Sequence, residues 1–373
     1  MAGQGRQRRR IGSDFGAFLR ASSLNWLLVL VPVSAILLLL GAPKLWLFIA
    51  SAIAIIPLAG IIGEATEDLA HWVGHGLGGI LNATLGNATE LIIGLFALRA
   101  GLQEVVKASI TGSIIGNILL VLGLSMLLGG WGRNRQTFSR THAAASAAML
   151  FLAVVALVMP AALELTAFGA LRPASREVER LSLVVAVVLM ITYLASLVFS
   201  LKTHRDLLTS VPEEAQPPRL TLGGSLLVLA VATVLVAFES EVLVGAISEA
   251  TAALGMTEFF VGVVVVAVVG NAAEHFAAVL MAMRNNMELA VAIATGSSTQ
   301  VALFVAPVLV FASLLFGQPM SLIFNGLEIG GVALSVIALS LVLLDGESNW
   351  FEGLQLLAVY LVLVTVFYFM PAA

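Results

Sequence analysis

The 373-residue chain contains no cysteine, which excludes disulfides, thiolate metal sites and cysteine redox chemistry. Histidine is nearly as scarce: five residues, scattered and without a convincing cluster, which argues against a transition-metal site. Charged residues make up only 11%, too few to cover a soluble domain of this size. Nothing matches G-x-x-x-x-G-K-[ST], so no nucleotide site is available to power a pump. Neither a His-Glu-x-x-His pattern nor a Ser/His arrangement supports an intramembrane hydrolase. The formal net charge of −4 says little, because the placement of charge matters more than its sum.

Apolar length is what the chain has in quantity. Hydrophobic residues reach 60% and mean hydropathy is +1.05. Runs approaching the roughly 20 residues that a bilayer demands recur about eleven times. They fall near 24–41, 45–63, 79–99, 106–129, 142–163, 181–201, 220–247, 258–283, 288–316, 321–344 and 350–370. The expected fold is therefore an all-α integral membrane protein with about eleven transmembrane helices and no room for a soluble domain. Arg6, Arg8, Arg9 and Arg10 precede the first run. Leu24–Leu40 is long for a signal core and lacks an A-x-A cleavage site, so it is expected to be a retained helix.

Lys and Arg set the expected orientation. With the N-terminus in the cytoplasm, the inner side holds Arg6, Arg8, Arg9, Arg10, Arg20, Arg133, Arg135, Arg140, Lys202, Arg205, Arg219 and Arg284. The outer side holds Lys44, Arg99, Lys107, Arg172, Arg176 and Arg180. Twelve against six favours that orientation and an outside C-terminus.

Two stretches spell nearly the same phrase, Gly86-Asn87-Ala88-Thr89-Glu90 and Gly270-Asn271-Ala272-Ala273-Glu274. Each is followed by a second one, Thr111-Gly112-Ser113 and Thr295-Gly296-Ser297, at the same 184-residue offset. Setting helix 1 aside leaves two groups of five helices. An odd number of spans makes the second copy enter from the opposite side, the inverted-repeat plan of secondary transporters. The expected division is 1–43 for the basic tail and helix 1, 44–201 for repeat 1, 202–219 for a cytoplasmic linker and 220–373 for repeat 2. The linker carries Asp206, Pro212, Glu213, Glu214, Pro217 and Pro218.

A charged carboxylate near the bilayer centre costs about 2.5–3.5 kcal/mol on insertion scales, so Glu90 and Glu274 call for a reason, and the default reason is function. Gly86 and Gly270 permit close approach or local unwinding that frees carbonyls. Asn87 and Asn271 add an amide oxygen at i, i+3 from each glutamate. Thr111, Ser113, Thr295, Ser297, Ser298 and Gln300 offer further oxygens. This inventory suits a hard cation such as Ca²⁺, which takes roughly 6–8 oxygen ligands. Low dielectric favours the protonated form of a carboxylate that lacks a cation, so proton and cation would compete for Glu90 and Glu274.

A second acidic layer is expected at helix ends, with Glu64, Glu67 and Asp68 on one side and Glu239, Glu241 and Glu249 on the other. Glu67, Glu241 and Glu249 are candidates to relay protons or gate a vestibule. His275, beside Glu274, is either a proton relay or gate or a neutral hydrogen-bonding residue. His71 and His75 are read as part of an interfacial loop rather than a metal site.

At these residues the chain resembles the CAX-type Ca²⁺/H⁺ antiporters of the cation/calcium exchanger superfamily. The matching text runs Gly78-Gly79-Ile80-Leu81-Asn82-Ala83-Thr84, Gly86–Glu90, Ala108-Ser109-Ile110-Thr111-Gly112-Ser113, Asn117 and Leu119–Gly123. In the second half it is Gly270–His275, Thr295–Gln300 and Pro307. The resemblance implies eleven helices, with helices 2–6 and 7–11 as inverted repeats and Glu90 and Glu274 as the exchanging carboxylates. The acidic helix often found between the halves is reduced here to Asp206, Glu213 and Glu214, so regulation through it is not expected.

The expectation is thus a multi-pass antiporter of a prokaryotic inner membrane that exports Ca²⁺ in exchange for H⁺, without cofactor or nucleic-acid partner. A Na⁺ or K⁺/H⁺ antiporter on the same scaffold is the alternative, and a passive cation channel is a further one.

Overall fold

The computed structural model describes residues 22–168, 176–203 and 218–371. The basic tail, Arg172, Arg205 and the linker residues Asp206, Pro212, Glu213, Glu214 and Pro217 lie outside them. The chain folds into helices α1 (Leu24–Leu39), α2 (Lys44–Val73), α3 (His75–Leu85), α4 (Ala88–Arg99), α5 (Gln103–Gly130), α6 (Arg140–Phe168) and α7 (Arg176–Thr203). The second half contributes α8 (Leu222–Val244), α9 (Ile247–Leu254), α10 (Glu258–Gly270), α11 (Ala272–Met283), α12 (Met287–Leu315), α13 (Gly326–Val342) and α14 (Trp350–Tyr368).

Among the described residues, seven helices are long and apolar enough to cross a bilayer: α2, α5, α6, α7, α8, α12 and α14. The number is nine if the bent pairs α3/α4 and α9/α10 each count as one span. Helices α1, α11 and α13 are shorter and also apolar.

Several expected boundaries move, each for a local reason. The run 79–99 is two helices bent by 44°, because Gly86 and Asn87 interrupt the helix between Leu85 and Ala88. The run 258–283 breaks in the same way at Asn271. Helix α2 continues to Val73, ten residues past the expected 63, and takes Glu64, Glu67, Asp68 and His71 into the helix. Its end is fixed by Gly74 at φ +84°, a conformation open to glycine and strained for other residues. Only that residue separates α2 from α3, so His71 lies in a helix rather than a loop; the side chain of His75 is outside the described residues.

Helix α5 is the most enclosed span, whereas α7 and α14 are the least enclosed. Its small residues make this possible. A Cβ on Gly112 would stand 2.1 Å from the Val263 carbonyl oxygen of α10, and one on Gly262 would stand 2.8 Å from the Ala108 Cβ. Helices α5, α10 and α12 each contain a stretch of widened turns with i→i+5 bonding, at Gly116–Val121, Val261–Val266 and Val301–Val305. Such turns concentrate at functional sites. At one end of the bundle, β1 (Gln136–Thr137) pairs antiparallel with β2 (Glu347–Ser348).

Candidate cation site

The site grows from two interrupted helices. Asn87 (φ −99°, ψ 21°) precedes α4, and Asn271 (φ −98°, ψ 11°) precedes α11. Glu90 and Glu274 follow three residues later, in the first turn of their helices. In this near-helical conformation neither asparagine side chain caps the helix it precedes. The amides and carboxylates of both motifs are thus available for other contacts.

Asn87 Oδ1 and both carboxylate oxygens of Glu90 are buried and have no hydrogen-bond partner. Glu274 lies close enough for its charge to act on Glu90. The Glu90 side chain rests on Gly270, where a Cβ would sit 2.9 Å from its Cγ. Buried oxygens without donors are costly. A cation or protons would relieve that cost.

Around Asn271 the polar groups are satisfied. Its Nδ2 donates to Ser113 Oγ (2.8 Å) and to the Ala267 carbonyl (2.9 Å). A carbonyl only accepts, so Oδ1 is left to receive Asn117 Nδ2 (3.2 Å) and Ser297 Oγ (3.1 Å). Asn117 Nδ2 also donates to Ser297 Oγ (3.0 Å). Asn117 therefore turns its Oδ1 toward His275 Nε2 at 3.0 Å, and Nε2 must carry the hydrogen. On the other side, Asn87 Nδ2 donates to Gln300 Oε1. Each motif asparagine is thus held by an amide from the other half of the chain.

The structure brings together Glu90, Glu274, Asn87, Asn271, Gly270, Ser113, Ser297, Gln300 and His275. Gly86 contributes the break ahead of α4. Other hydroxyls are engaged elsewhere. Thr295 and Ser298 donate to the Val291 and Ala294 carbonyls of their own helix. Thr111 turns away, bonding to the Lys107 and Ala108 carbonyls and to Glu328 Oε1 (3.1 Å). Reasoning from the repeat missed Asn117 as a site residue, because its counterpart at the same offset is Val301. An amide standing directly before the apolar run Ile118-Leu119-Leu120 was the available signal.

The acidic layer separates into three kinds of residue. Glu67, Glu241 and Glu249 are exposed. Glu64 pairs with Arg219 at 3.2 Å, and Asp68 accepts the backbone N–H groups of Arg219 (3.1 Å) and Leu220 (2.9 Å). Glu239 departs from the expectation of a helix-end group: it is fully buried and bonded to Ser34 of α1. No group of three or more His, Asp or Glu side chains suited to a metal ion occurs among the described residues. A cation at this site would rest on two carboxylates and neutral oxygens.

Comparison with known proteins gives a consistent picture. The family described as sodium/calcium exchanger protein matches residues 43–202 and 224–369. The chain is 46% identical over 361 residues to the Ca²⁺/H⁺ antiporter of Aphanothece halophytica, spanning 92% of this chain and 96% of that protein. It is 44% identical over 364 residues to the Ca²⁺/H⁺ antiporter of Synechocystis sp., again spanning 92% and 96%. The solved structure of native YfkE superposes with a TM-score of 0.79 at 38% identity, covering 92% of this chain and 100% of that one.

Proposed function

The chain belongs to the sodium/calcium exchanger family, and on that premise we propose that it is a secondary antiporter that exports Ca²⁺ from the cytoplasm in exchange for H⁺. The observation that carries this reading is the set of three buried, unpartnered oxygens, Asn87 Oδ1 and the two of Glu90, beside Glu274. An oxygen-only donor set fits a hard divalent cation. Glu90 and Glu274 exchange the cation for protons, since metal ligands must be deprotonated to bind. Backbone carbonyls freed at Gly86 and Gly270 complete the shell, with Ser113, Ser297 and Gln300 lining it.

In this reading the membrane domain has eleven spans: α1, then α2 to α7 and α8 to α14 as two inverted five-span repeats. The pairs α3/α4 and α10/α11 each make one broken span, and α9 extends α8. Support comes from the like backbone angles at Asn87 and Asn271 and from widened turns at matching places in α5 and α12. The N-terminus lies in the cytoplasm, and the host membrane is a prokaryotic plasma membrane. Glu67, Glu241 and Glu249 attract cations at the two mouths, and His275, donating Nε2–H to Asn117 Oδ1, serves as a neutral hydrogen-bonding residue beside Glu274.

Alternating access is supported by an inequality between the two halves. Helix α10 packs closely along α5, whereas α3 has no comparable contact with α12 among the described residues. With a cytoplasmic N-terminus, the outer side is closed and the inner side is the looser one.

Purified protein in liposomes under an imposed pH gradient tests the reading. ΔpH-driven Ca²⁺ uptake that withstands excess Na⁺ or K⁺ is the expected result. Proton flux evoked only by Na⁺ or K⁺ would overturn Ca²⁺ as the substrate.

A further inference from the structure

Glu239 is a carboxylate that the exchange site does not use. It lies in α8, fully buried, against Ser34 of α1, which is equally buried. Helix α1 otherwise meets this region through apolar side chains, Leu28 and Val31 against a cluster that includes Val228, Ala232 and Val236. Ser34 Oγ stands 2.5 Å from Glu239 Oε1 and 2.9 Å from the Val31 carbonyl oxygen. The other carboxylate oxygen, Oε2, is buried without a partner.

A serine hydroxyl has one hydrogen, and a backbone carbonyl can only accept. Each short contact has a hydrogen of its own only if the Glu239 carboxyl carries a proton and donates it to Ser34 Oγ, which donates onward to Val31. An ionised Glu239 would instead compete for that single hydrogen and leave a bare charged oxygen buried, which is strongly unfavourable. The neighbouring elements offer no compensating charge. Helix α1 has no titratable side chain; α2 carries Lys44, Glu64, Glu67, Asp68 and His71; α4 carries Glu90 and Arg99; and Glu241 lies on the exposed side of α8. None of these forms an ion pair or hydrogen bond with the Glu239 carboxyl.

We propose that Glu239 is a proton-binding site separate from the Glu90/Glu274 pair, and that its proton clasps α1 onto α8. Loss of the proton leaves Ser34 a single hydrogen to divide between the Val31 carbonyl and the carboxylate, and puts a charge into the α1/α8 interface. Because α8 packs along α2, the clasp restrains that helix pair at low pH and releases it at high pH. The proposal does not depend on which cation the chain exchanges.

The absence of cysteine makes a direct test clean. Spin labels on Leu39→Cys of α1 and Val234→Cys of α8, both highly exposed, report the interhelix distance in the full chain in lipid nanodiscs. With native Glu239, the distance distribution is expected to be narrow near about pH 5 and to lose its narrow peak by about pH 9, a range bracketing shifted carboxyl titrations. E239Q keeps an N–H donor for Ser34 and should stay narrow throughout. S34A removes the acceptor and should be broad at every pH, whereas S34T should behave as the parent. A parent distribution that ignores pH, an E239Q variant with the parent's pH response, or a narrow S34A distribution would each overturn the proposal.

Discussion

Asn-x-x-Glu stands at the start of four helices, and the four do not behave alike. Asn325/Glu328 and Asn349/Glu352 form reciprocal capping boxes. Asn87/Glu90 and Asn271/Glu274 do not. The difference lies in one backbone torsion. Asn325 and Asn349 have extended ψ values of 162° and 168°, which turn the side chain back onto the first N–H groups. At Asn87 and Asn271, ψ is 21° and 11°, because another helix runs directly into each residue. The same four-residue spacing therefore locks a carboxylate into a helix end in one setting and leaves it free in the other.

The largest consequence falls on the uncapped pair. E90Q or E274Q should reduce ΔpH-driven Ca²⁺ uptake by about 100-fold or more while expression persists, since each removes a charged ligand and its exchangeable proton. E352Q, at a capping box, should leave uptake close to normal. Near-normal uptake in both site variants would erase the distinction between the two classes.

Next in size is the inequality of the two halves. G112A drives a Cβ to 2.1 Å from the Val263 oxygen, whereas a Cβ at its repeat counterpart Gly296 meets nothing within 4 Å. Overpacking of this kind costs about 1–3 kcal/mol or more. Thermal unfolding of G112A should show that loss, with G296A much less affected. Equal destabilisation would mean that α12 is as tightly enclosed as α5.

A smaller contrast separates the two asparagines. N271A strands groups on Ser113, Asn117 and Ser297 and should cost about 1–3 kcal/mol of stability. N87A strands only Gln300 and removes a candidate cation oxygen, so it should weaken Ca²⁺ binding more than it lowers the unfolding temperature. The smallest effect is N349A, about 1 kcal/mol of stability from a lost cap, with Ca²⁺ binding unchanged.

Much of this was legible in the chain. Apolar length announced the membrane helices, and the offset repeat singled out Glu90 and Glu274. The breaks at Asn87 and Asn271 were harder to see, because apolar residues continue on both sides and hydropathy does not register a torsion. Thr111 was assigned toward the site, but its partner Glu328 lies 217 residues away, beyond the reach of local pattern. Asn117 has no repeated counterpart, and Glu239 reads as one of an acidic layer at a helix end, whereas Ser34 of α1, 205 residues away, covers it.

Proton release on Ca²⁺ binding is the most direct measurement. Purified protein in weakly buffered detergent solution should release protons when Ca²⁺ is added, and its apparent Ca²⁺ affinity should rise with pH as the competing proton is withdrawn. E90Q and E274Q should each lose release, while E352Q keeps it. Ca²⁺ binding with no proton release, or release undiminished in both site variants, would contradict a shared carboxylate site for cation and proton.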